Sequence, residues 1–233
     1  MKVNSLLPIF LAAFIFCLNG NCLAHTETTA KDEKESMHHK HGYHRSFADL
    51  EESLKRFEDP ARETWQKPFE VIHALKINAT DTIADVGAGT GYFSLRIAKA
   101  YPGCIVYGSD VEPVMISYMQ EQSKKLDLPN HKAILIPSNK LKLPGKLDLV
   151  LVVDTYHHLD DRVDYFKNMK RILRPSARVV IIDFTLESPE GPPADHRISK
   201  EDLEKEMKHA GFALAEDIKL LPYQYFLVFT QEK

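Results

Sequence analysis

From about residue 80 onwards, short apolar runs alternate with amphipathic segments, and this pattern predicts an α/β fold. Short, mostly apolar runs suit strands buried on both faces, whereas apolar residues three or four positions apart suit helices that bury one side. The predicted strands are 82–86, 104–109, 132–136, 147–153, 178–184 and 223–229, and the helices are 92–100, 113–126, 162–173 and a segment from Ser199 to Gly211. Such alternation predicts a doubly wound, mostly parallel sheet with helices on both faces.

Two amphipathic helices are predicted ahead of this alternation, in residues 46–76. Apolar residues recur there at helical spacing, and the pair Asp59-Pro60 is typical of a second helix start. The pattern leaves two interpretations open. These helices either pack against an edge of the sheet or form a lid over a pocket, to which Trp65 and Phe69 would contribute.

The first 24 residues have the pattern of a signal peptide. Lys2 precedes an apolar run from Leu6 to Leu18, which is shorter than the ~20 residues that a membrane-spanning helix needs. Small residues at Cys22 and Ala24 favour cleavage after Ala24. We therefore expect export to the periplasm or the medium, with no stable membrane insertion after cleavage; retention at the membrane by an uncleaved segment is the alternative.

Residues 25–45 are polar and rich in histidine, which predicts a disordered leader. Imidazole is a common ligand of transition metals, so an exported metal-binding protein is one alternative function. The spacing of these histidines matches no closed metal site, and we predict none. The histidines are His25, His38, His39, His41 and His44.

Composition indicates a globular domain without an electrostatic affinity for nucleic acid. Hydrophobic residues make up 44% of the 233 residues and charged residues 27%, and 30 Lys and Arg face 33 Asp and Glu. No basic excess is present to neutralise a phosphate backbone. One domain over residues 77–233 is therefore expected, with a small molecule favoured over nucleic acid as its substrate and a protein substrate as the open alternative. The sequence does not predict its oligomeric state.

The segment from Asp85 to Gly91 carries the most specific chemistry. It ends the first predicted strand and brings three glycines at alternate positions, where ligands bind in sheets of this type. Glycines let a tight loop approach a ligand closely. A dinucleotide fingerprint has the spacing G-x-G-x-x-G, whereas this segment reads D-x-G-x-G-x-G. The spacing disfavours a nicotinamide-dependent oxidoreductase, and the leading carboxylate suits a cationic cofactor.

The segment 83–93 resembles motif I of class I S-adenosylmethionine-dependent methyltransferases. The resemblance continues in order through 106–110, 148–158, 171–175 and 210–212, and so spans about residues 70 to 230. It implies a Rossmann-like, seven-stranded sheet, mostly parallel, with one antiparallel strand near the C-terminus. It also implies S-adenosylmethionine as the cofactor and methyl transfer by in-line displacement to an unidentified acceptor.

The resemblance also implies roles for individual residues. Asp85 and the loop of Gly87, Ala88, Gly89 and Gly91 would hold the methionine portion of the cofactor. Asp110, 19 residues past Gly91, ends the second strand and would bind the ribose hydroxyls. Asn139 falls where many family members place an acid near the adenine amino group. A non-catalytic ligand-binding protein with the same fold remains the main alternative.

Candidate catalytic residues follow the strand 147–153. His157 is the first choice as a general base, because histidine exchanges a proton near neutral pH. His158 is an alternative base. Asp154 and Tyr156 are further catalytic candidates. Tyr92 and Tyr156 are candidates for covering the sulfonium. A loop at 187–196, followed by Arg197, lies where an acceptor would enter; His196 and Arg197 either bind an acidic acceptor group or stabilise the loop.

Overall fold

The computed structural model describes residues 49–137 and 142–232. The predicted signal peptide, the His-rich leader and Asn139 lie outside the described residues. The strands are β1 Thr82–Val86, β2 Ile105–Asp110, β3 His131–Leu135, β4 Leu147–Val153, β5 Leu173–Phe184, β6 Phe212–Asp217 and β7 Gln224–Gln231. The α-helices are α1 Leu50–Phe57, α2 Arg62–Trp65, α3 Pro68–Ala74, α4 Ser94–Ala100, α5 Pro113–Lys125, α6 Arg162–Met169 and α7 Lys200–His209, and short 3₁₀ turns cover Tyr156–His158, Lys170–Ile172 and Ala194–His196.

The strands form one sheet of seven in the order β3-β2-β1-β4-β5-β7-β6. Strands β1 to β5 pair in parallel, and β7 runs antiparallel to both of its neighbours, β5 and β6. The expected sheet, with a single antiparallel strand near the C-terminus, is therefore confirmed. The carboxyl ends of the parallel strands meet at one edge of this sheet.

Strand β4 illustrates why both faces of the sheet are covered. Successive strand residues point to opposite faces. Val150 and Val152 pack into an apolar cluster that includes Phe166 of α6, whereas Leu149 and Leu151 pack into a second cluster with residues of α3 and α4. Each fully buried Val or Leu side chain contributes about 1.5–3 kcal/mol, so the apolar run from Leu149 to Val153 anchors the centre of the sheet.

The structure adds one strand that the hydrophobic pattern did not predict and moves several boundaries. In β6 only Phe212 is buried, because the strand lies at the sheet edge and turns mostly small and acidic residues to solvent. The predicted helix 162–173 ends at Met169, and β5 begins at Leu173 rather than at residue 178. Within the described ranges, no helix is both long enough and apolar enough to cross a membrane.

The N-terminal helices divide between the two expected positions. Helix α1 begins at the cap Asp49, whose carboxylate accepts a hydrogen bond from the Glu52 amide at 3.1 Å. Lys67, with a φ of 45°, separates α2 from α3. Helix α3 buries Val71 and Ile72 against the sheet. Residues of α1 and α2 instead border the cavity described below.

Candidate functional site

A cavity of about 350 Å³ opens at the carboxyl ends of the parallel strands. This is where open α/β sheets bind their ligands. Several of the predicted site residues line it together: Asp85, Gly87, Ala88, Gly89, Asp110, Asp154, His157 and His158. Gly91 and Tyr156 are not among the lining residues.

The glycine loop is held against the end of β2. The amides of Gly87 and Ala88 donate to the Ser109 carbonyl at 2.8 and 3.0 Å. Gly87 has a φ of 70°, and a Cβ added there would lie 2.9 Å from the Cβ of Thr155 and closer still to its Oγ1 and Cγ2. Only glycine fits this position, which leaves the backbone at the cavity wall bare.

Asp110 is fixed by the backbone that surrounds it. Its two carboxylate oxygens accept hydrogen bonds from the amides of Gly89, at 2.8 Å, and Glu112, at 3.0 Å. The side chain is nearly buried, and burial raises its pKa. Each carboxylate oxygen can accept a second bond, so Asp110 can still receive the two hydroxyls of a ribose.

Asp85 joins the end of β1 to the start of α4. One carboxylate oxygen accepts a hydrogen bond from the Ser94 amide at 3.0 Å. Burial, only partly opposed by this bond, raises the pKa of Asp85 to about 7. A buried carboxylate whose ionisation is disfavoured gains most from a cation brought into the cavity beside it.

His157 forms a buried pair with Asp183, the penultimate residue of β5. Nδ1 of His157 lies 2.8 and 2.9 Å from the two carboxylate oxygens of Asp183, which also accepts from the His157 amide at 3.1 Å. Burial disfavours the imidazolium, but the neighbouring carboxylate outweighs burial, and the pKa of His157 is raised. Within the described residues Nε2 has no hydrogen-bond partner, so the arrangement leaves this nitrogen for proton transfer at the cavity.

Asp183 was missed by the sequence analysis. It ends the apolar run 179–182, in the same relation to its strand as Asp85 has to β1. An acidic residue at the carboxyl end of a buried strand is therefore the sequence feature that could have identified Asp183 as a candidate site residue. Nothing in the sequence connected it with His157, because the two residues meet only through the pairing of β4 with β5.

Asp154 lines the cavity but is engaged by side chains of the protein. It accepts hydrogen bonds from Gln66, at 2.9 Å, and from Gln224, and the Arg62 guanidinium lies 3.8 Å away. Burial raises the pKa of Asp154 to about 6, although Arg62 opposes the shift. These contacts give Asp154 the role of tying α2 to the strand ends, and they argue against it as a catalytic base.

Tyr156 does not reach the cavity, so its expected catalytic role is not supported. Its fully buried phenol donates to Glu206 of α7 at 2.6 Å. Tyr92 lines the cavity, but two cations already contact its ring: the guanidinium carbons of Arg62 and Arg96 lie 4.0 and 3.8 Å from the ring centroid. Their positive charges disfavour a sulfonium at the same ring.

The segment from Arg56 to Trp65 lines the cavity opposite the sheet. It is joined to the glycine loop by the bond from the Thr90 hydroxyl to Glu58, at 2.5 Å. The Trp65 ring packs against Phe184 with a centroid distance of 6.0 Å. Phe69, by contrast, is 75% exposed and lies outside the lining, so only Trp65 of the two expected aromatic residues contributes.

The loop after β5 closes one rim of the cavity with Glu190, Gly191 and Pro192. Arg197 donates to five carbonyl groups of this loop, those of Thr185, Leu186, Ser188, Glu190 and Pro192. Of its two expected roles, Arg197 therefore has the loop-stabilising one. His196 is not a lining residue, and the described residues contain no group of three or more acidic, histidine or cysteine side chains that could hold a metal ion.

Comparison with known proteins identifies relatives of this fold and site. A family model described as a methyltransferase domain matches residues 77–224. The 27-O-demethylrifamycin SV methyltransferase of Amycolatopsis mediterranei is 27% identical over 165 residues, which are 69% of this chain and 56% of that protein. The (S)-tetrahydroprotoberberine N-methyltransferase of Eschscholzia californica is 27% identical over 123 residues, covering 53% of this chain and 33% of that protein.

A solved structure of similar size supports the same relationship. The crystal structure of a SAM-dependent methyltransferase from Aquifex aeolicus superposes with a TM-score of 0.73 at 26% identity, covering 78% of this chain and 98% of that one. The chain spans about a third to a half of the two curated relatives named above.

Proposed function

The chain belongs to the family of methyltransferase domains, and from this premise we propose that it transfers the methyl group of S-adenosylmethionine to a small-molecule acceptor. One observation carries the proposal: the cavity that is lined by the glycine loop and Asp110 is also lined by His157, whose Nδ1 is paired with Asp183. A site for a methyl donor and a group able to accept a proton thus border the same cavity.

The residues at the ends of β1 and β2 fit the cofactor. Gly87 and Gly89 line the cavity with backbone alone, the Asp110 carboxylate can accept the ribose hydroxyls, and Asp85 can balance a positive charge. The family match decides between a nicotinamide and a methyl donor in favour of the methyl donor. When bound, S-adenosylmethionine supplies an electrophilic methyl group.

The chain's contribution to the reaction is positioning and proton removal. In-line displacement needs the nucleophile held close to the methyl carbon and aligned with it, and a cavity shared by donor and acceptor can provide both. We assign His157 as the general base that removes a proton from the acceptor through Nε2. Asp183 binds Nδ1, fixes the imidazole tautomer and stabilises the imidazolium that forms.

The acceptor side of the cavity favours a flat molecule with an ionisable group. Trp65 and Phe184 supply aromatic walls there, with the Phe184 ring centroid 6.5 Å from that of His157, and His157 with Arg56 supplies polar contacts. Aromatic walls bind planar rings, and a histidine base suits a hydroxyl or amine nucleophile. We propose an aromatic compound with such a group as the acceptor.

Two measurements test the function. Calorimetry with S-adenosylmethionine, S-adenosylhomocysteine and NAD should give heat with the first two only. Methyl-labelled S-adenosylmethionine should then transfer label to members of a panel of aromatic alcohols and amines, and His157→Gln should reduce transfer by about 10²-fold while preserving cofactor affinity. Binding without transfer to any candidate or extract would favour a non-catalytic protein, and absence of binding would refute the proposal.

We further propose that residues 1–24 direct export and are removed after Ala24. The apolar run from Leu6 to Leu18 behind Lys2 supports this proposal. N-terminal sequencing of the protein recovered from exported and membrane fractions tests it. A mature chain that begins at His25 is expected, whereas an intact N-terminus in the membrane fraction would favour the uncleaved alternative.

A further inference from the structure

The hydroxyl of Tyr165 is buried without a hydrogen-bond partner among the described residues. The only other such atom there is one carboxylate oxygen of Asp217, whose second oxygen is held by Lys200 and Lys219. Tyr165 has no comparable compensation. A buried hydroxyl without a partner costs about 1–3 kcal/mol, so native proteins seldom retain one without a reason.

Tyr165 also lines the cavity, although its side chain is only 4% exposed. The cavity is bordered by other atoms of this side chain, since the hydroxyl itself is inaccessible to solvent in the empty site. A small turn of the ring on binding would let a bound molecule supply the missing partner, which makes the hydroxyl a candidate for ligand recognition. The position of Tyr165 within the cavity indicates which portion of the ligand would contact its hydroxyl.

Tyr165 shares an apolar cluster with Ile136 and Leu159, and all three side chains border the cavity. Ile136 directly follows β3, and its amide donates to the Asp110 carbonyl at 2.9 Å. The apolar wall formed by Tyr165, Ile136 and Leu159 thus lies beside Asp110, at the ends of β2 and β3. His157, in contrast, follows β4, which lies on the other side of β1.

A ribose held by Asp110 would extend its base toward this apolar wall. Adenine has flat apolar faces and ring nitrogens that accept hydrogen bonds. Burial raises the pKa of Tyr165, so its hydroxyl keeps its proton and can donate it to such an acceptor. Two other tyrosines of this cluster have partners: the Tyr156 hydroxyl is bound to Glu206, and the Tyr225 hydroxyl donates to the Ile198 carbonyl at 3.4 Å.

We propose that the Tyr165 hydroxyl donates a hydrogen bond to a ring nitrogen of the cofactor's adenine and makes Tyr165 a specificity residue for the base. This inference rests on the proposed function, because it takes S-adenosylmethionine as the ligand. It differs from the expectation for Asn139, which concerned the adenine amino group. Tyr165 lies on α6, far from motif I in the sequence.

The substitution Tyr165→Phe distinguishes a role of the hydroxyl in cofactor binding from a role in the stability of the folded protein. In the ligand-free protein, Tyr165→Phe removes an unpartnered polar group, so the melting temperature should stay unchanged or rise. Its dissociation constant for S-adenosylhomocysteine should increase about 3- to 10-fold, the value of one net hydrogen bond. Tyr156→Phe is the matched control: it removes a satisfied bond to Glu206, so it should lower the melting temperature and preserve affinity.

Deaza analogues of S-adenosylhomocysteine identify the nitrogen. Replacing the contacted ring nitrogen by CH should weaken binding to the wild type and leave binding to Tyr165→Phe unaffected, because the bond is already absent there. If the wild type and Tyr165→Phe bind S-adenosylhomocysteine equally, or if no deaza analogue couples to the substitution, the inference is wrong while the proposed function stands. Absence of binding to the wild type would refute both.

Discussion

Substitution of Gly87 by alanine tests most directly whether the glycine loop is shaped by its contact with Thr155. The φ of 70° at Gly87 is one that L-residues adopt only with strain. The new Cβ would also meet the Thr155 side chain at distances under 3 Å. Thr155 cannot easily turn away, since its hydroxyl donates to the Val153 carbonyl at 2.9 Å.

The expected loss of stability is the sum of two effects. A left-handed backbone costs an alanine about 1–2 kcal/mol, and forcing a methyl group into an occupied space costs about 1–3 kcal/mol. Gly87→Ala should therefore lose about 2–5 kcal/mol of unfolding free energy. For a chain of this size each kcal/mol lowers the melting temperature by about 2–4 °C. Movement of the loop should also weaken cofactor binding.

Gly145→Ala is the matched control. Gly145 has a φ of 82°, yet no atom lies within 4 Å of the position of an added Cβ, so only the backbone cost of about 1–2 kcal/mol remains. Urea unfolding and calorimetry with S-adenosylhomocysteine measure both effects. Equal losses of stability in the two variants, or unchanged affinity in Gly87→Ala, would refute the steric reasoning.

Three further outcomes are expected. Asp110→Asn should weaken S-adenosylhomocysteine binding about 10-fold in calorimetry, whereas His157→Ala should change it little; equal affinity of Asp110→Asn and wild type would refute the ribose contact. The base must be neutral, so kcat/KM should rise with pH through the raised pKa of His157. Asp183→Asn should lower the rate and move this rise in kcat/KM to lower pH, because the carboxylate that raises the pKa of His157 is lost. A rise at the same pH in both proteins would contradict the pairing. Asp85, with a pKa of about 7, loses its proton between about pH 6 and 8, so S-adenosylmethionine should bind more tightly as pH rises. Asp85→Asn should make the affinity less dependent on pH. The same pH dependence in both proteins would show that Asp85 does not face the cation.

The parallel sheet and its ligand-binding edge follow from the amino-acid sequence alone. Strands such as β4 carry a continuous apolar run, here from Leu149 to Val153, because both of their faces are buried, and that property is visible locally. The loop from Gly87 and the acid at Asp110 were likewise predictable, since each follows a recognisable strand. Strand β6 was not predictable from its pattern, because an edge strand with exposed Ala and Glu side chains lacks the hydrophobic signature.

Which of the candidate residues share the cavity depends on how elements distant in the chain pack together. Tyr156 and His157 are consecutive in a 3₁₀ turn, yet their side chains have different partners. The Tyr156 side chain binds Glu206, whereas the His157 side chain binds Asp183. Sequence periodicity describes one element at a time and carries no information on partners contributed by another strand or helix. The partner of His157 and the unpartnered hydroxyl of Tyr165 both depend on packing between elements distant in the chain. The sequence therefore predicted the glycine loop, Asp110 and His157 as candidates, whereas the fold determined that Asp183 is the partner of His157 and that Tyr165 borders the cavity.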